Sequence, residues 1–397
     1  MFDIAVIGGG ASGLAASIGA KRVDGNLKIC IIEVLPRVGK KILATGNGRC
    51  NLTNLNATAL DYNNPFVACA FESFPPKTVI RFFESMGLKC VADGEGRVYP
   101  MSNTAASVLD CLRFEAERLN IEIICDTKAD KIEKKGDLFV INNSIKAKKV
   151  ILATGGKASP SQGSDGSGYP LLKMLGHRVT PLYPALVQLT VSENVKALKG
   201  VRVKSKVKLC CKEKTVDSAG GEILFTDYGL SGIAIMDISR SVKNRKCQCV
   251  LDILPEMNKE EIRQFICDRK ALNPQLSAEN MLTGLVPKKA GQFVLKLCGV
   301  HGDAPVVSLN DFRINEIAEK MKKLTFTVSG TNGFKNAQLT CGGGELDEFN
   351  PCTMESKKVK GLYCTGELLD VDSVCGGFNL QWAWASGLLA GQSAANE

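Results

Sequence analysis

The chain is poor in the residues that build metal and thiol centres. Of its 397 residues only two are histidines, His177 and His301, and none of its sixteen cysteines belongs to a C-x-x-C pair. A histidine-built metal site needs clustered ligands and a dithiol redox centre needs two closely spaced thiols, so both classes are disfavoured and no metal is expected. The cysteines are scattered, many within apolar stretches such as residues 28–32, and read as small buried hydrophobes of a reducing cytoplasm. Long hydrophobic runs are missing too. The longest uncharged run, Ile4 to Ala20, follows Asp3 rather than a basic stretch and is diluted by Gly8, Gly9, Gly10, Gly13 and Gly19, so it is not expected to be a membrane span or a leader. There is no internal repeat and no low-complexity tract, so a folded cytoplasmic protein with no membrane partner is expected.

What is present is a modest excess of basic charge, +9 overall, densest between Lys196 and Lys214. There Val201, Val203, Val207 and Leu209 alternate with Arg202, Lys204, Lys206 and Lys208, the period-two pattern of a strand with one buried and one wet face. Lysines on such a face commonly guard a sheet edge, so nucleic acid is not expected as a partner.

The first residues read as strand, glycine turn, helix and strand. Gly8-x-Gly10-x-x-Gly13 lies between a predicted strand, residues 3–7, and a predicted helix, residues 13–22. In that setting the first glycine permits the tight turn, the second lets a pyrophosphate approach the backbone, and the third lets the helix pack on the strand. Glu33, twenty residues beyond Gly13 at the end of the next strand, can accept hydrogen bonds from two ribose hydroxyls and would repel a 2′-phosphate. This half of the pattern reads only an ADP moiety. At the other end of the chain a strand, residues 362–365, runs into Gly366-Glu367, and Cys375-Gly376-Gly377-Phe378-Asn379 leads into a helix. A glycine-lined helix N-terminus suits the negative charge of a reduced flavin near N1 and the C2 carbonyl, and Glu367 can bind a ribityl chain. Between these ends, residues 150–153 form a buried parallel strand closed by Thr154-Gly155-Gly156. The segment 163–168 reads as lining of the same cavity rather than a second nucleotide site. Strand-like alternation dominates residues 186–251, and helical spacing returns from 258 to about 300.

Three blocks together resemble one flavoprotein family: the N-terminal fingerprint, the run Gly39 to Asn51, and the C-terminal Gly361-Leu362-Tyr363, Gly366-Glu367 and Gly376-Gly377-Phe378-Asn379-Leu380-Gln381. The family is that of bacterial NAD(P)/FAD-dependent oxidoreductases that includes aminoacetone oxidases and the bile-acid-inducible flavoprotein reductase. The resemblance implies an α/β fold: a Rossmann-like FAD-binding domain of the glutathione-reductase type, with an inserted β-barrel-like domain and a small helical domain. The corresponding layout is an FAD domain over 1–185 and 335–397, a β-rich insert over 186–257 and 301–334, and a helical insert over 258–300. It implies noncovalent FAD, with NADH or NADPH as a transient electron donor. FAD contacts are expected from Gly8, Gly10, Ala11, Ser12, Gly13, Glu33, Val34, Arg37, Lys40, Gly48, Arg49, Cys50, Asn51, Ala129, Ala153, Thr154, Gly155, Gly366, Glu367, Gly376, Gly377, Phe378, Asn379 and Leu380. Arg49 is expected to meet the pyrophosphate, and Cys50 to serve packing rather than attack. Tyr99, in Gly96-Arg97-Val98-Tyr99-Pro100, is expected to be the proton donor, and His177 a capping or surface residue. The expected activity is NAD(P)H-dependent reduction of an unsaturated carbonyl compound of steroid type; aminoacetone or amine oxidation with oxygen, and RNA binding for tRNA modification, are the alternatives. A small-molecule substrate is expected, and the oligomeric state is open.

Overall fold

The computed structural model describes residues 1–396 and divides into two compact units, Met1–Pro184 with Gln338–Glu397, and Ala185–Ala337.

In the first unit β1 (Phe2–Ile7) and β2 (Ile29–Ile32) are almost wholly buried apolar runs, the mark of strands covered on both faces. They pair in parallel, with Ile4 opposite Ile29, and the sheet continues in parallel through 122–124 beyond β2 and 145–152 beyond β1. The outer edge of strand 145–152 is shared. Its first residues pair antiparallel with the hairpin strand 138–141, and its last pair in parallel with 362–364, bringing the C-terminal stretch into the N-terminal sheet. All the parallel strands thus deliver their C-terminal ends to one rim, where ligands of open α/β sheets bind.

Helix α1 (Ala11–Val23) and the C-terminal helix Phe378–Asn396 are built from small residues, and their contact explains why. A Cβ on Gly387 would lie 2.4 Å from the Ser12 carbonyl oxygen, and one on Gly391 would lie 2.1 Å from that of Ala16. Glycine at these two positions, one turn apart, is what lets the two helices touch backbone to backbone.

In the second unit six strands, 189–191, 202–211, 214–225, 229–231, 247–252 and 324–331, close into an antiparallel barrel. Closure corrects the edge-guarding role expected of Lys206 and Lys208: strand 202–211 pairs with 214–225 on one side and, over 206–211, with 247–252 on the other, so only its first residues, Lys204 among them, keep an open edge. The helices Lys259–Leu272, Lys288–Leu297 and Asp311–Lys322 bury Ile262, Ile266, Val294, Ile314 and Ile317 in the same core as the barrel residues Leu209, Cys249 and Phe326.

The cysteines depart from the expectation of isolated buried thiols. Cys69 is joined to Cys352 and Cys211 to Cys247, while six others, among them Cys30, Cys50 and Cys364, are free and buried. Pairing at a sequence separation of 283 has no local signature. Among the described residues no helix is long and apolar enough to cross a membrane.

Candidate FAD site

All the expected cofactor residues fall in the first unit, and the three fingerprint glycines separate by physical task. Gly8, at φ +105°, could carry no side chain without meeting the Ala153 carbonyl oxygen 2.5 Å away, so it holds the turn against the neighbouring strand. A Cβ on Gly13 would sit 1.9 Å from the Gly8 carbonyl oxygen, so this glycine packs helix on strand. Gly10 has φ −81° and ψ −164°, ordinary extended backbone, and no atom within 4 Å of where its Cβ would be. Neither conformation nor crowding within the protein demands glycine there, and the open space leaves room for a ligand to approach the backbone. The first turn of α1 has no side-chain cap and no acidic residue, leaving its N–H groups for an anion.

Glu33 is buried. Its Oε2 accepts from the Gly9 amide at 2.8 Å and its Oε1 from that of Leu35 at 2.9 Å, which fixes the carboxylate at the end of β2 beside the glycine turn. Val34 is half-buried and Arg37 exposed in the loop that follows. Buried Ala129 lies two residues beyond Thr127, whose amide donates to the Glu33 carbonyl. The segment 163–168 folds back onto this end, since a Cβ on Gly163 would lie 3.8 Å from Glu33 Oε1. Ser12 is buried under Gly366, and Ala11 opens the helix.

Ala153, Thr154 and Gly155 form the rim beyond strand 145–152. Thr154 Oγ1 is buried without a hydrogen-bond partner, and so is Asn51 Oδ1, which lies 2.8 Å from where a Cβ on Gly377 would be. Orphaned buried acceptors cost about 1–3 kcal/mol each unless something fills their valence. Gly376 and Gly377, at φ +120° and +101°, bring the backbone close to strand 53–54: a Gly377 Cβ would be 2.6 Å from the Thr53 carbonyl. The amides of Phe378, Asn379 and Leu380 belong to the first turn of the C-terminal helix. The Asn379 side chain staples the approach to that turn, accepting from the Ser373 amide and donating to the carbonyls of Ser373 and Val374.

The loop 39–51 contributes least as expected. Arg49 is exposed, forms no ion pair among the described residues, and lays its guanidinium 4.6 Å from the centre of the Tyr99 ring. Gly48, at φ +83°, has open space where a Cβ would be. Cys50 is fully buried, and burial, outweighing its hydrogen bond with Thr45, pushes its thiol up to about 12; a thiol so held is no nucleophile. Half-buried Lys40 makes no ion pair among the described residues, whereas its neighbour Lys41 does. Lys41 Nζ meets Glu367 Oε2 at 2.7 Å, and the Thr340 amide donates to Glu367 Oε1 at 2.8 Å, so both carboxylate oxygens already hold protein donors. The Tyr99 ring is buried and its hydroxyl has no hydrogen-bond partner among the described residues.

Sequence reasoning missed several residues that hold the site together. Tyr62 donates its hydroxyl to the Phe378 carbonyl at 2.6 Å, Thr53 donates to Gln381, and the Trp382 and Trp384 indoles donate to the carbonyls of Gly366 and Leu52. Buried aromatics with one polar tip next to a helix start were the available signal. His177 is corrected: it is buried, stacked on Phe349, with Nδ1 2.9 Å from Glu348 and Nε2 2.9 Å from Ser356 Oγ.

Open space at Gly10, two orphaned buried acceptors and two helix N-termini fit an elongated anionic dinucleotide with a polar ring system. In this arrangement Gly10 and α1 would hold the pyrophosphate, Glu33 the adenosine ribose, and Asn51 with the turn 376–380 the flavin ring.

Comparison with known proteins gives the family. The model of the HI0933-like protein Rossmann domain matches residues 2–393. The chain is 40% identical over 407 residues to a 3-dehydro-bile acid delta(4,6)-reductase of Clostridium scindens, covering 100% of this chain and 99% of the relative. It is 29% identical to the ribosomal RNA dihydrouridine synthase of Haemophilus influenzae, covering 96% and 95%. Among solved structures, 3-ketosteroid delta1-dehydrogenase from Sterolibacterium denitrificans shares the fold, with a TM-score of 0.51, 12% identity and 100% of each chain covered. The chain therefore belongs to the HI0933-like Rossmann family and is an FAD-dependent oxidoreductase.

Proposed function

We propose that this enzyme reduces a carbon–carbon double bond conjugated to a carbonyl, in a substrate of steroid type, with NADH or NADPH as electron donor. The observation that carries the reading is the end-to-end similarity, at 40% identity, to a reductase of such a compound. FAD, when bound, supplies the hydride chemistry. The protein's part is to bind, orient and move one proton. Amides of the turn 377–380, aided by the helix dipole, stabilise negative charge on the ring system. Delivery of hydride to the distal carbon of an enone leaves charge on the oxygen and calls for a proton at the carbon next to the carbonyl. Tyr99 is the donor assigned here, because its hydroxyl is unpaired in a site whose thiol, Cys50, is held protonated. Arg49, over the Tyr99 ring, positions it. A soluble nicotinamide donor of this kind goes with a reaction in the cytoplasm, the location proposed here.

A second reading keeps the chemistry and changes the substrate. The relatives named ribosomal RNA dihydrouridine synthase, 29% identical to this chain, carry out by name the saturation of a uracil ring, whose reducible double bond is also conjugated to a carbonyl. The two readings separate in a single experiment. Under nitrogen, flavin bleached by NAD(P)H is reoxidised by a 3-keto-4-ene steroid under the first, and by unmodified ribosomal RNA under the second.

A further inference from the structure

The positive charge of the chain is concentrated in the barrel unit. Residues 185–337 hold twenty-four Lys and Arg against sixteen Asp and Glu, net +8 of the total +9. Within it, Lys204, Lys206, Lys208, Lys212, Lys214, Lys243, Arg245 and Lys246 are all exposed, and none of them forms an ion pair among the described residues. The carboxylates across the strands from two of them are taken: Glu222, opposite Lys204, pairs with Arg202, and Asp252, opposite Lys206, pairs with Lys322 at 2.7 Å.

The fold gathers these cations. Lys204, Lys206 and Lys208 alternate along the outer face of one strand, about 6.8 Å apart. The ladder ends where Cys211 faces Cys247, so Lys212 and Lys246, the next residues outward, flank one another. Like charges so placed repel. The turns add to the cost. Lys212 and Glu213, in the hairpin turn, have φ of +50° and +64°, and Lys243 and Asn244, between the helix 233–239 and strand 247–252, have +38° and +57°, so lysine twice stands in left-handed backbone that favours glycine or asparagine. Since strand 202–211 is paired on both sides from residue 206 onward, guarding an edge does not explain Lys206 and Lys208.

The geometry points to a docking surface for the sugar–phosphate backbone of single-stranded RNA on this barrel face. A lipid surface fits less well, because Ser218 stands opposite Lys208, Gln248 lies opposite Cys210 on the other flanking strand, and Thr325 and Thr327 lie one strand further, all exposed and able to hydrogen-bond phosphate and ribose hydroxyls. The surface does not depend on what the enzyme reduces.

The test is fluorescence anisotropy of the FAD-loaded protein with a 5′-labelled oligouridylate across about 50–200 mM salt. Wild type is expected to bind with affinity that falls steeply with salt. The triple variant Lys204→Ala, Lys206→Ala, Lys208→Ala is expected to bind at least tenfold more weakly, with a log–log salt slope shallower by about 2, near 0.7 for each lost phosphate contact. The matching triple change to arginine should retain binding, which separates lost charge from lost folding. Steroid reduction by both variants should be unchanged, so failure here leaves the proposed reaction standing and the reverse also holds. Absence of salt-dependent binding, unaltered binding by the alanine variant, or equal or tighter binding of DNA of the same length, an acidic polypeptide or phosphatidylserine vesicles would each overturn the assignment.

Discussion

At the scale of single residues, Gly10 and Gly13 belong to one fingerprint and differ in what their missing side chains leave room for. A methyl at Gly13 strikes the protein's own Gly8 carbonyl, whereas a methyl at Gly10 meets nothing within 4 Å. Gly10→Ala is therefore expected to leave the far-ultraviolet spectrum and the apo melting temperature unchanged while weakening FAD. Strain of about 1–3 kcal/mol against the pyrophosphate corresponds to about 5- to 150-fold in Kd, readable by flavin fluorescence; unchanged FAD affinity would remove the pyrophosphate from this turn. For Tyr99→Phe, loss of a positioned proton donor predicts a fall in kcat of about 100-fold with bound FAD and its reduction by NAD(P)H unaltered. If flavin reduction slows instead, the phenol does not act on the second substrate. The glycines and Glu33 were legible in the sequence because a short strand–turn–helix unit carries them all. The Lys41–Glu367 pair was not, since its partners stand 326 residues apart and meet only when the C-terminal strand joins the N-terminal sheet.

At the scale of elements, the contact of α1 with the C-terminal helix rests on two glycines that a sequence reading takes merely for small residues. Gly391→Ala drives a Cβ to 2.1 Å from the Ala16 carbonyl oxygen. A drop of about 1–3 kcal/mol in stability is expected, seen as a lower melting temperature together with weaker FAD retention, because both helices begin at the cofactor site. A second element-level device is the buried cluster that ties residues 177–178 to 345–358. Burial favours the protonated carboxyl of Glu348, but donors from Lys358, the Arg178 amide and guanidinium, and His177 together hold it down to about 2. For His177, burial lowers the pKa more than Glu348 raises it. Both groups have depressed folded values. The stability His177 contributes is present above its unfolded pKa near 6.5 and is lost as pH falls through the lower folded value; that of Glu348 is present above about 4.5 and is lost as pH approaches 2. The melting temperature should fall as pH drops below about 6.5, and less steeply in His177→Phe than in wild type; equal slopes would show that this cluster does not set the acid limit. His177 does stand at a helix end, its amide donating to the Leu172 carbonyl, but its side chain is buried rather than at the surface, and nothing local reveals that Glu348 and Ser356 come to meet it.

At the scale of the molecule, the discontinuous α/β fold with its β-rich insert was legible, because buried strands and glycine turns recur at both ends of the chain while alternation fills the middle. Closure of the barrel was not, for alternation shows which face of a strand is wet but not whether its edges are paired. The same limit hid the meaning of the lysine row and the cysteine pairs, which depend on register between distant strands. The whole-molecule account is that FAD held in the first unit passes electrons from NAD(P)H to a conjugated carbonyl compound. The most direct test is an anaerobic absorbance titration of the FAD-loaded protein with NADH or NADPH, followed by a 3-keto-4-ene steroid. The account predicts bleaching of the flavin bands by the nicotinamide and their return, with stoichiometric saturation of the double bond, on adding the steroid. Flavin that ignores both nicotinamides and is bleached by a small amine, or protein that takes up no FAD at all, would contradict it.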